Sequence, residues 1–228
     1  MRVLIISDND YIGASVLDII NSYDEQIISG TLTDSKSLDM KSVICIEEIV
    51  KNHDLVISAH CKKIFPKELV ERIKCINIHP GFNPYNRGWF PQVFSINNGL
   101  PVGATVHVID ELLDHGDIII REQVEIDDTD TSLSLYNKIV EKEIEIFRNS
   151  LPDIISEKIR YQSPEIEGNV NYKSDFKNLC ELNMSSTGTL REHIDLLRSL
   201  THGEYDNAYF LNSDGDKIYV KINLKKHV

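Results

Sequence analysis

Two short runs of uninterrupted apolar residues constrain the fold of this chain more than any other feature. Residues 3–6 read Val-Leu-Ile-Ile, and residues 55–57 read Leu-Val-Ile. Such runs are typical of strands that are covered on both faces, as in a parallel sheet between helices. Apolar residues at helical spacing between 12 and 23, and a proline-opened segment at 66–70, alternate with these runs. This rhythm predicts an α/β domain built from β-α-β units.

The rest of the first domain continues the pattern. Further strands are predicted at residues 74–78, 103–109 and 118–124. The loop at 80–88 is rich in Pro, Gly and Asn, and a helix that starts at Phe90 should stop at Gly99. We therefore expect a mainly parallel sheet.

The last third of the chain changes in character. A long amphipathic helix at about 133–148 is predicted to close a main domain of residues 1–160. Residues 161–228 consist of short polar segments, with one helix at 190–200 and a hairpin turn at 212–216. We expect a small C-terminal α+β subdomain containing a β-hairpin.

Composition and charge exclude several classes of protein. The 228 residues include 24 basic and 36 acidic side chains, a net charge of −12 that disfavours binding to nucleic acid. No apolar stretch approaches the roughly 18 residues of a membrane span or resembles a secretion signal, so we expect a cytoplasmic protein with no membrane partner. The four cysteines form no CxxC pair, which predicts reduced thiols. The eight histidines show no HxxH or HExxH spacing, so no metal is expected.

The first candidate site residues stand where the strand at 74–78 ends. Side chains alternate between the two faces of a strand, so Asn77 and His79 point to the same side, and Pro80 keeps His79 extended. In open α/β sheets the carboxyl ends of the strands line the ligand crevice. An isolated Asn-x-His more often caps a turn than forms a site, so this pattern alone is not specific.

An acidic loop at residues 110–117 supplies a second candidate group. It lies between two predicted strands, and Gly116 allows its backbone to turn sharply. A carboxylate in this loop could reach the histidine. The residues alone do not distinguish Asp110, Asp114 and Asp117.

These motifs resemble those of the folate-dependent formyltransferases. Asn77-Ile78-His79-Pro80, the loop Asn83-Pro84-Tyr85-Asn86-Arg87-Gly88 and Leu113-Asp114-His115-Gly116 match that family in order and spacing over roughly residues 1–150. The resemblance implies a Rossmann-like formyltransferase fold and selects Asp114, with Asn77 and His79, as the catalytic trio. Formyl transfer is acyl transfer, so we expect the Asn77 amide and a protonated His79 to donate to the developing oxyanion. Asp114 would orient His79 and relay a proton.

The stretch from Phe82 to Ile96 contains Arg87-Gly88-Trp89-Phe90-Pro91-Gln92. Within the family, this stretch most resembles the sugar N-formyltransferases that modify dTDP-4-amino-4,6-dideoxyhexoses. It implies 10-formyltetrahydrofolate as the formyl donor and a dTDP-linked amino sugar as the acceptor, in O-antigen or other surface polysaccharide biosynthesis. The expected folate contacts are Lys63, Ile64, Phe65, Ile109, Asp110 and Leu112. The expected contacts of the nucleotide sugar are Asn9, Tyr11, Asn83, Tyr85, Arg87, Gly88, Trp89, Phe90 and Gln92. Arg87 is assigned to the diphosphate because its guanidinium matches phosphate oxygens.

Other readings of the same scaffold remain open at this point. A hydrolase of formyltetrahydrofolate would use water in place of the amine, and a nucleotide-binding module would keep the trio without catalysis. Methionyl-tRNA and glycinamide ribonucleotide are alternative amines, although the negative charge disfavours tRNA. Sugar enzymes of this family are often dimers through the C-terminal part, so we expect a homodimer.

Overall fold

The computed structural model describes residues 1–24 and 27–227. Its strands are β1 (Arg2–Ile6), β2 (Ser29–Thr33), β3 (Leu55–Ala59), β4 (Lys74–His79), β5 (Arg87–Gly88), β6 (Gly103–Val108), β7 (Ile118–Gln123), β8 (Val170–Asn171), β9 (Tyr209–Leu211) and β10 (Lys217–Tyr219). Its α-helices are α1 (Asp10–Asn21), α2 (Val43–Asn52), α3 (Lys67–Val70), α4 (Pro91–Asn98), α5 (Ser132–Ile155), α6 (Lys173–Cys180) and α7 (Leu190–Leu200).

A six-stranded sheet forms the centre of the molecule, in the order β2-β1-β3-β4-β6-β7. The first four strands in this order are parallel, whereas β6 pairs antiparallel with both β4 and β7. The expectation of a mainly parallel sheet is therefore confirmed. The antiparallel step also sets Asn77 of β4 opposite His107 of β6.

Two apolar cores cover the two faces of this sheet. Along β1, Val3 and Ile5 face a core shared with α1 and α5, while Leu4 and Ile6 face a core shared with α2. This alternation explains the uninterrupted apolar run, because a strand between two helical layers buries every side chain. Because β1, β3 and β4 are parallel, their carboxyl ends meet at one edge of the sheet.

The helix ends follow from local chemistry, with one difference from the sequence prediction. Asn9 caps α1, and Gly99 ends α4 with a left-handed φ of 72°. The predicted end of α5 near Arg148 is wrong, because α5 continues to Ile155 with Pro152 in its last turn. Its buried stripe extends through Leu151 and Ile154, and this packing outweighs the hydrogen bond lost at proline.

The C-terminal part packs against the main sheet domain through α4. Helix α7 contacts α4, and Leu200 and Cys180 share a small core with Val93 of α4. The strands β9 and β10 form the predicted antiparallel hairpin. The division of the chain at residue 160 stays a prediction. Within the described residues, no helix has both the length and the apolar character that crossing a membrane requires.

Candidate active site

Asn77 and His79 lie at the carboxyl end of β4, on the face opposite Ile78, which is buried in the core. They point towards the loop between β6 and β7, where Asp114 adopts a left-handed φ of 48°. The Asn77 Nδ2 atom donates to Asp114 Oδ1 over 3.1 Å. His79 Nδ1 lies 3.6 Å from Asp114 Oδ2. The structure thus brings the three predicted catalytic residues together.

Asp114 is held by two further hydrogen bonds, one to its carboxylate and one to its backbone. The backbone N–H of Gly88 donates to its Oδ2 atom over 3.0 Å, and Asn83 Nδ2 donates to its backbone carbonyl over 2.8 Å. Burial acts to raise the pKa of this carboxyl. The neighbouring imidazoles of His79 and His107, together with the Gly88 N–H, more than offset burial, so the pKa of Asp114 lies below its usual range and the group is ionised.

His107 is a member of this cluster that the sequence prediction missed. Its Nδ1 atom lies 2.8 Å from the carbonyl oxygen of Val108, so Nδ1 carries the hydrogen, and in this tautomer Nε2 is an acceptor. Asn77 Nδ2 lies 3.2 Å from this Nε2 atom. The available signal was the alternation of Thr105 and His107 with apolar residues along β6, because it places both on the polar face beside β4.

The orientation of the Asn77 amide follows from these two partners. Both hydrogens of Nδ2 are engaged, one by Asp114 and one by His107. No hydrogen bond to Asn77 Oδ1 occurs among the described residues. In this arrangement Asn77 offers an acceptor, and the expectation that its amide donates to the oxyanion does not fit the geometry.

His79 differs from expectation in its charge. Only 4% of the residue is exposed, and no described residue bonds its Nε2 atom. Burial lowers the pKa of His79 to about 4, although Asp114 acts in the opposite direction. His79 is therefore neutral near pH 7, with Nδ1–H facing Asp114 and a lone pair on Nε2. A Cβ atom at Gly81 would collide with this Nε2 atom, so glycine leaves the space for it.

The expected folate contacts fall into two groups. Ile64 and Leu112 are exposed, whereas Phe65 is packed into the core beneath α2 and Ile109 lies against the same core. The remaining polar members are engaged locally: Lys63 donates to the carbonyl of residue 38, and Asp110 pairs with His115 at 2.8 Å. Their contact with a folate stays a prediction.

The expected nucleotide-sugar contacts are also divided by burial. Asn83, Arg87 and Gln92 are no more than 5% exposed. Arg87 Nη2 donates to the carbonyl of Glu167, and its guanidinium lies in the wall of a cavity of about 430 Å³ next to the Asp114 loop. Gln92 Nε2 lies 3.3 Å from Ser132 Oγ. The contact of these three side chains with a substrate stays a prediction.

The other six expected contacts lie closer to solvent. Tyr11 is 64% exposed, and Asn9 caps α1. Gly88 uses its N–H on Asp114, and Trp89 lies half-buried with the Lys173 ammonium 5.0 Å from its ring centre. The remaining two residues pack their rings against other aromatic rings: Tyr85 contacts Phe82, and Phe90 contacts Phe176. Among residues 1–24 and 27–227, no group of three or more His, Cys, Asp or Glu side chains is placed to hold a metal ion.

Comparison with known proteins assigns the chain to a class of enzyme. The chain matches the family described as formyl transferase over residues 3–151. It also matches the N-formyltransferase dimerization C-terminal domain over residues 175–226. The chain belongs to the formyl transferase family, which confirms the resemblance inferred from the motifs.

Relatives of known name match the chain over nearly its whole length. The dTDP-4-amino-4,6-dideoxyglucose formyltransferase of Mycobacterium tuberculosis is 39% identical and covers 99% of this chain and 97% of its own. A 4-N formyltransferase from Francisella tularensis has a TM-score of 0.94 at 41% identity, over 99% of this chain and 98% of its own. PseJ from Anoxybacillus kamchatkensis has a TM-score of 0.67 at 28% identity, over 78% and 89%. Its structure is a complex with UDP-4,6-dideoxy-4-formamido-L-AltNAc and tetrahydrofolate.

The neutral state of His79 can be tested by nuclear magnetic resonance. We expect the ring nitrogens of His79 to keep the shifts of a neutral imidazole as the pH falls from about 8, and to titrate only near pH 4. The physical reason is that burial disfavours the imidazolium. A His79→Asn variant assigns the signals. A midpoint at or above the ordinary value of 6.5 would contradict the assignment.

Proposed function

We propose that this enzyme transfers the formyl group of 10-formyltetrahydrofolate to the amine of a nucleotide-linked 4-amino-4,6-dideoxy sugar. We take dTDP-4-amino-4,6-dideoxyglucose as the acceptor. The observation that carries the proposal is the end-to-end match to a sugar formyltransferase, with the trio assembled at the strand ends. The folate donor is supported by tetrahydrofolate in the complex of PseJ.

The geometry of the trio supports a specific division of labour. Asn77 Oδ1 accepts an N–H of the attacking amine and directs the nitrogen lone pair at the formyl carbon. His79 Nε2 takes the proton that the amine loses, and Asp114 stabilises the resulting imidazolium through Nδ1–H. The same proton then passes from His79 to the folate nitrogen as the carbon–nitrogen bond to the donor breaks. Proton and formyl group are thereby balanced without a covalent enzyme intermediate.

The nature of the amine is supported by the net charge of the chain and by its similarity to two sugar formyltransferases. A net charge of −12 opposes a polyanionic acceptor such as tRNA, whereas a diphosphate needs only a few local donors. The 4-N formyltransferase and the M. tuberculosis relative match this chain from end to end. We assign the reaction to the cytoplasm and to the supply of formylated sugars for O-antigen or other surface polysaccharides.

The acceptor can be tested with a panel of dTDP- and UDP-linked amino sugars, each offered with 10-formyltetrahydrofolate. We expect the dTDP-linked 4-amino sugar to gain one formyl group by mass spectrometry, and the 3-amino isomer to react at least about tenfold more slowly. Incubation with the folate alone serves as the control. If formate were released without any amine as fast as the formyl group is transferred to the amino sugar, the result would favour a hydrolase over a transferase.

The catalytic roles can be tested by substitution. We expect Asp114→Asn and His79→Asn each to lower kcat by about 10² or more, because each removes a partner in proton transfer. Asp117→Asn is the matched control, since it makes the same change in the same loop but its carboxylate pairs with Ser163 outside the trio. Near-normal turnover in both variants would contradict the catalytic roles assigned to Asp114 and His79.

We further propose that two copies associate through the C-terminal hairpin. Leu211, Ile218 and Tyr219 of β9 and β10 are exposed apolar side chains, and they lie in the segment that matches a dimerization domain. Apolar side chains left in water on a short hairpin are stabilised when a partner covers them.

The dimer can be tested by light scattering. We expect Ile218→Glu to convert the dimer to a monomer, because it buries an unpaired charge in the interface. Ile44→Glu on α2 is the control, since Ile44 is also exposed but lies outside that segment. A wild-type mass of one chain at micromolar concentration would exclude the proposed dimer.

A further inference from the structure

A buried ion pair lies outside the catalytic trio. His60 follows the carboxyl end of β3 with a left-handed φ of 60°. Its Nε2 atom is 2.9 and 3.0 Å from the two carboxylate oxygens of Glu143 on α5, and Glu143 is 0% exposed. Removing both charges from water is costly unless further hydrogen bonds satisfy them. The formyl transfer described above does not use this pair.

The pair continues into a chain of hydrogen bonds that ends at the first strand–helix loop. Tyr136 lies two turns before Glu143 on α5, and its hydroxyl oxygen is 3.2 Å from His60 Nδ1 and 3.2 Å from Asn9 Nδ2. Asn9 Oδ1 accepts from the N–H of Ile12 at the start of α1. This contact fixes the orientation of the amide, so Asn9 Nδ2 must donate to Tyr136.

The number of hydrogens in the chain depends on the charge of His60. When His60 is protonated, its Nδ1–H and the Asn9 amide both donate to the Tyr136 oxygen, and the Tyr136 hydrogen has no acceptor among the described residues. When His60 is neutral with its hydrogen on Nε2, the Nδ1 lone pair accepts that hydrogen instead. Charged His60 therefore frees one hydroxyl donor for a ligand.

We propose that Tyr136 donates this hydrogen to a phosphoryl oxygen of the nucleotide-linked acceptor, and that His60 and Glu143 are positioning residues that keep it available. The inference rests on the proposed function and adds to it a specific diphosphate contact. The location supports it, since Asn9 and the exposed Tyr11 lie at the edge of the sheet where β1, β3 and β4 end. Arg87, the diphosphate ligand expected from the sequence, is 5% exposed, and its Nη2 atom already donates to the carbonyl of Glu167.

The charges around this series of hydrogen bonds support the protonated state of His60. Burial opposes the imidazolium of His60, but the Glu143 carboxylate more than offsets it, so the pKa of His60 lies above its ordinary value. Burial raises the pKa of Tyr136 to about 12, so the hydroxyl keeps its hydrogen. Other titratable groups nearby are His202, whose ring packs on Tyr136 and whose pKa burial lowers, and His79 on β4. The carboxylates of Asp8 and Asp10 flank Asn9, and Asp8 accepts from the N–H groups of Ser35 and Lys62.

The number of hydrogens shared by His60, Tyr136 and Asn9 determines how the binding of the acceptor should change with pH. Because the pKa of His60 is raised, the free hydroxyl donor is present below that pKa and is lost as the pH rises through it. The acceptor should bind most tightly below the pKa of His60 and more weakly above it.

The test measures binding of dTDP-glucose, which has the diphosphate but lacks the reactive amine, by calorimetry between about pH 6 and pH 8.5. We expect wild-type binding to weaken as the pH rises. Tyr136→Phe should bind about tenfold more weakly at the lower pH and lose the pH dependence, with kcat at saturation little changed. Tyr23→Phe, which removes an exposed hydroxyl beyond the far end of α1, is the matched control and should behave as wild type.

A second variant tests the positioning residues. Glu143→Gln should shift the loss of affinity to lower pH, because His60 then loses the carboxylate that holds its proton. If Glu143→Gln does not fold, the Tyr136→Phe result decides alone. Equal affinity of wild type and Tyr136→Phe across the pH range overturns this inference and leaves the proposed function standing. A wild-type protein that does not bind dTDP-glucose contradicts both.

Discussion

The arrangement of the site depends on one buried carboxylate. An ionised aspartate inside a protein is unfavourable by several kcal/mol unless donors surround it. Asp114 obtains them from Asn77 and from the N–H of Gly88, while Asn83 binds its carbonyl. These donors come from β4 and from the loop that follows it, whereas Asp114 comes from the loop after β6. The cost of leaving Asp114 unpaired therefore couples two loops that are distant in sequence.

This coupling determines what each catalytic side chain can do. The Asp114 carboxylate and the His107 lone pair fix the Asn77 amide with its oxygen outward, because the opposite orientation would set oxygen against oxygen. His79 lies 3.6 Å from the same carboxylate, beyond a normal hydrogen bond, and burial keeps it neutral. In the proposed mechanism, a site prepared in this way accepts a proton from the amine. It becomes positively charged only while the oxyanion is present, when the charge is useful.

The sequence predicted the parts that depend on local patterns. Helix α7 and the β9–β10 hairpin were predicted from apolar spacing and turn residues, and the same-face placement of Asn77 and His79 from strand alternation. Strand β2 was missed because its Ser-Gly-Thr-Leu-Thr sequence lies mostly exposed at the sheet edge and shows little periodicity. His107 was missed because its role requires the antiparallel register with Asn77. The charge of His79 also could not be predicted from the sequence, since it depends on how deeply the folded chain buries the imidazole.

The two histidines nearest the strand ends show why burial alone does not decide charge. His60 has a carboxylate at 2.9 Å that no other cation among the described residues shares, so the gain from pairing exceeds the cost of desolvation. His79 shares Asp114 with the donors of Asn77 and Gly88, which already satisfy much of that carboxylate, and desolvation prevails. One fold thus holds, at the same sheet edge, one imidazole whose pKa is raised and one whose pKa is lowered. Opposite environments of this kind separate a residue that holds a charge from one that moves a proton.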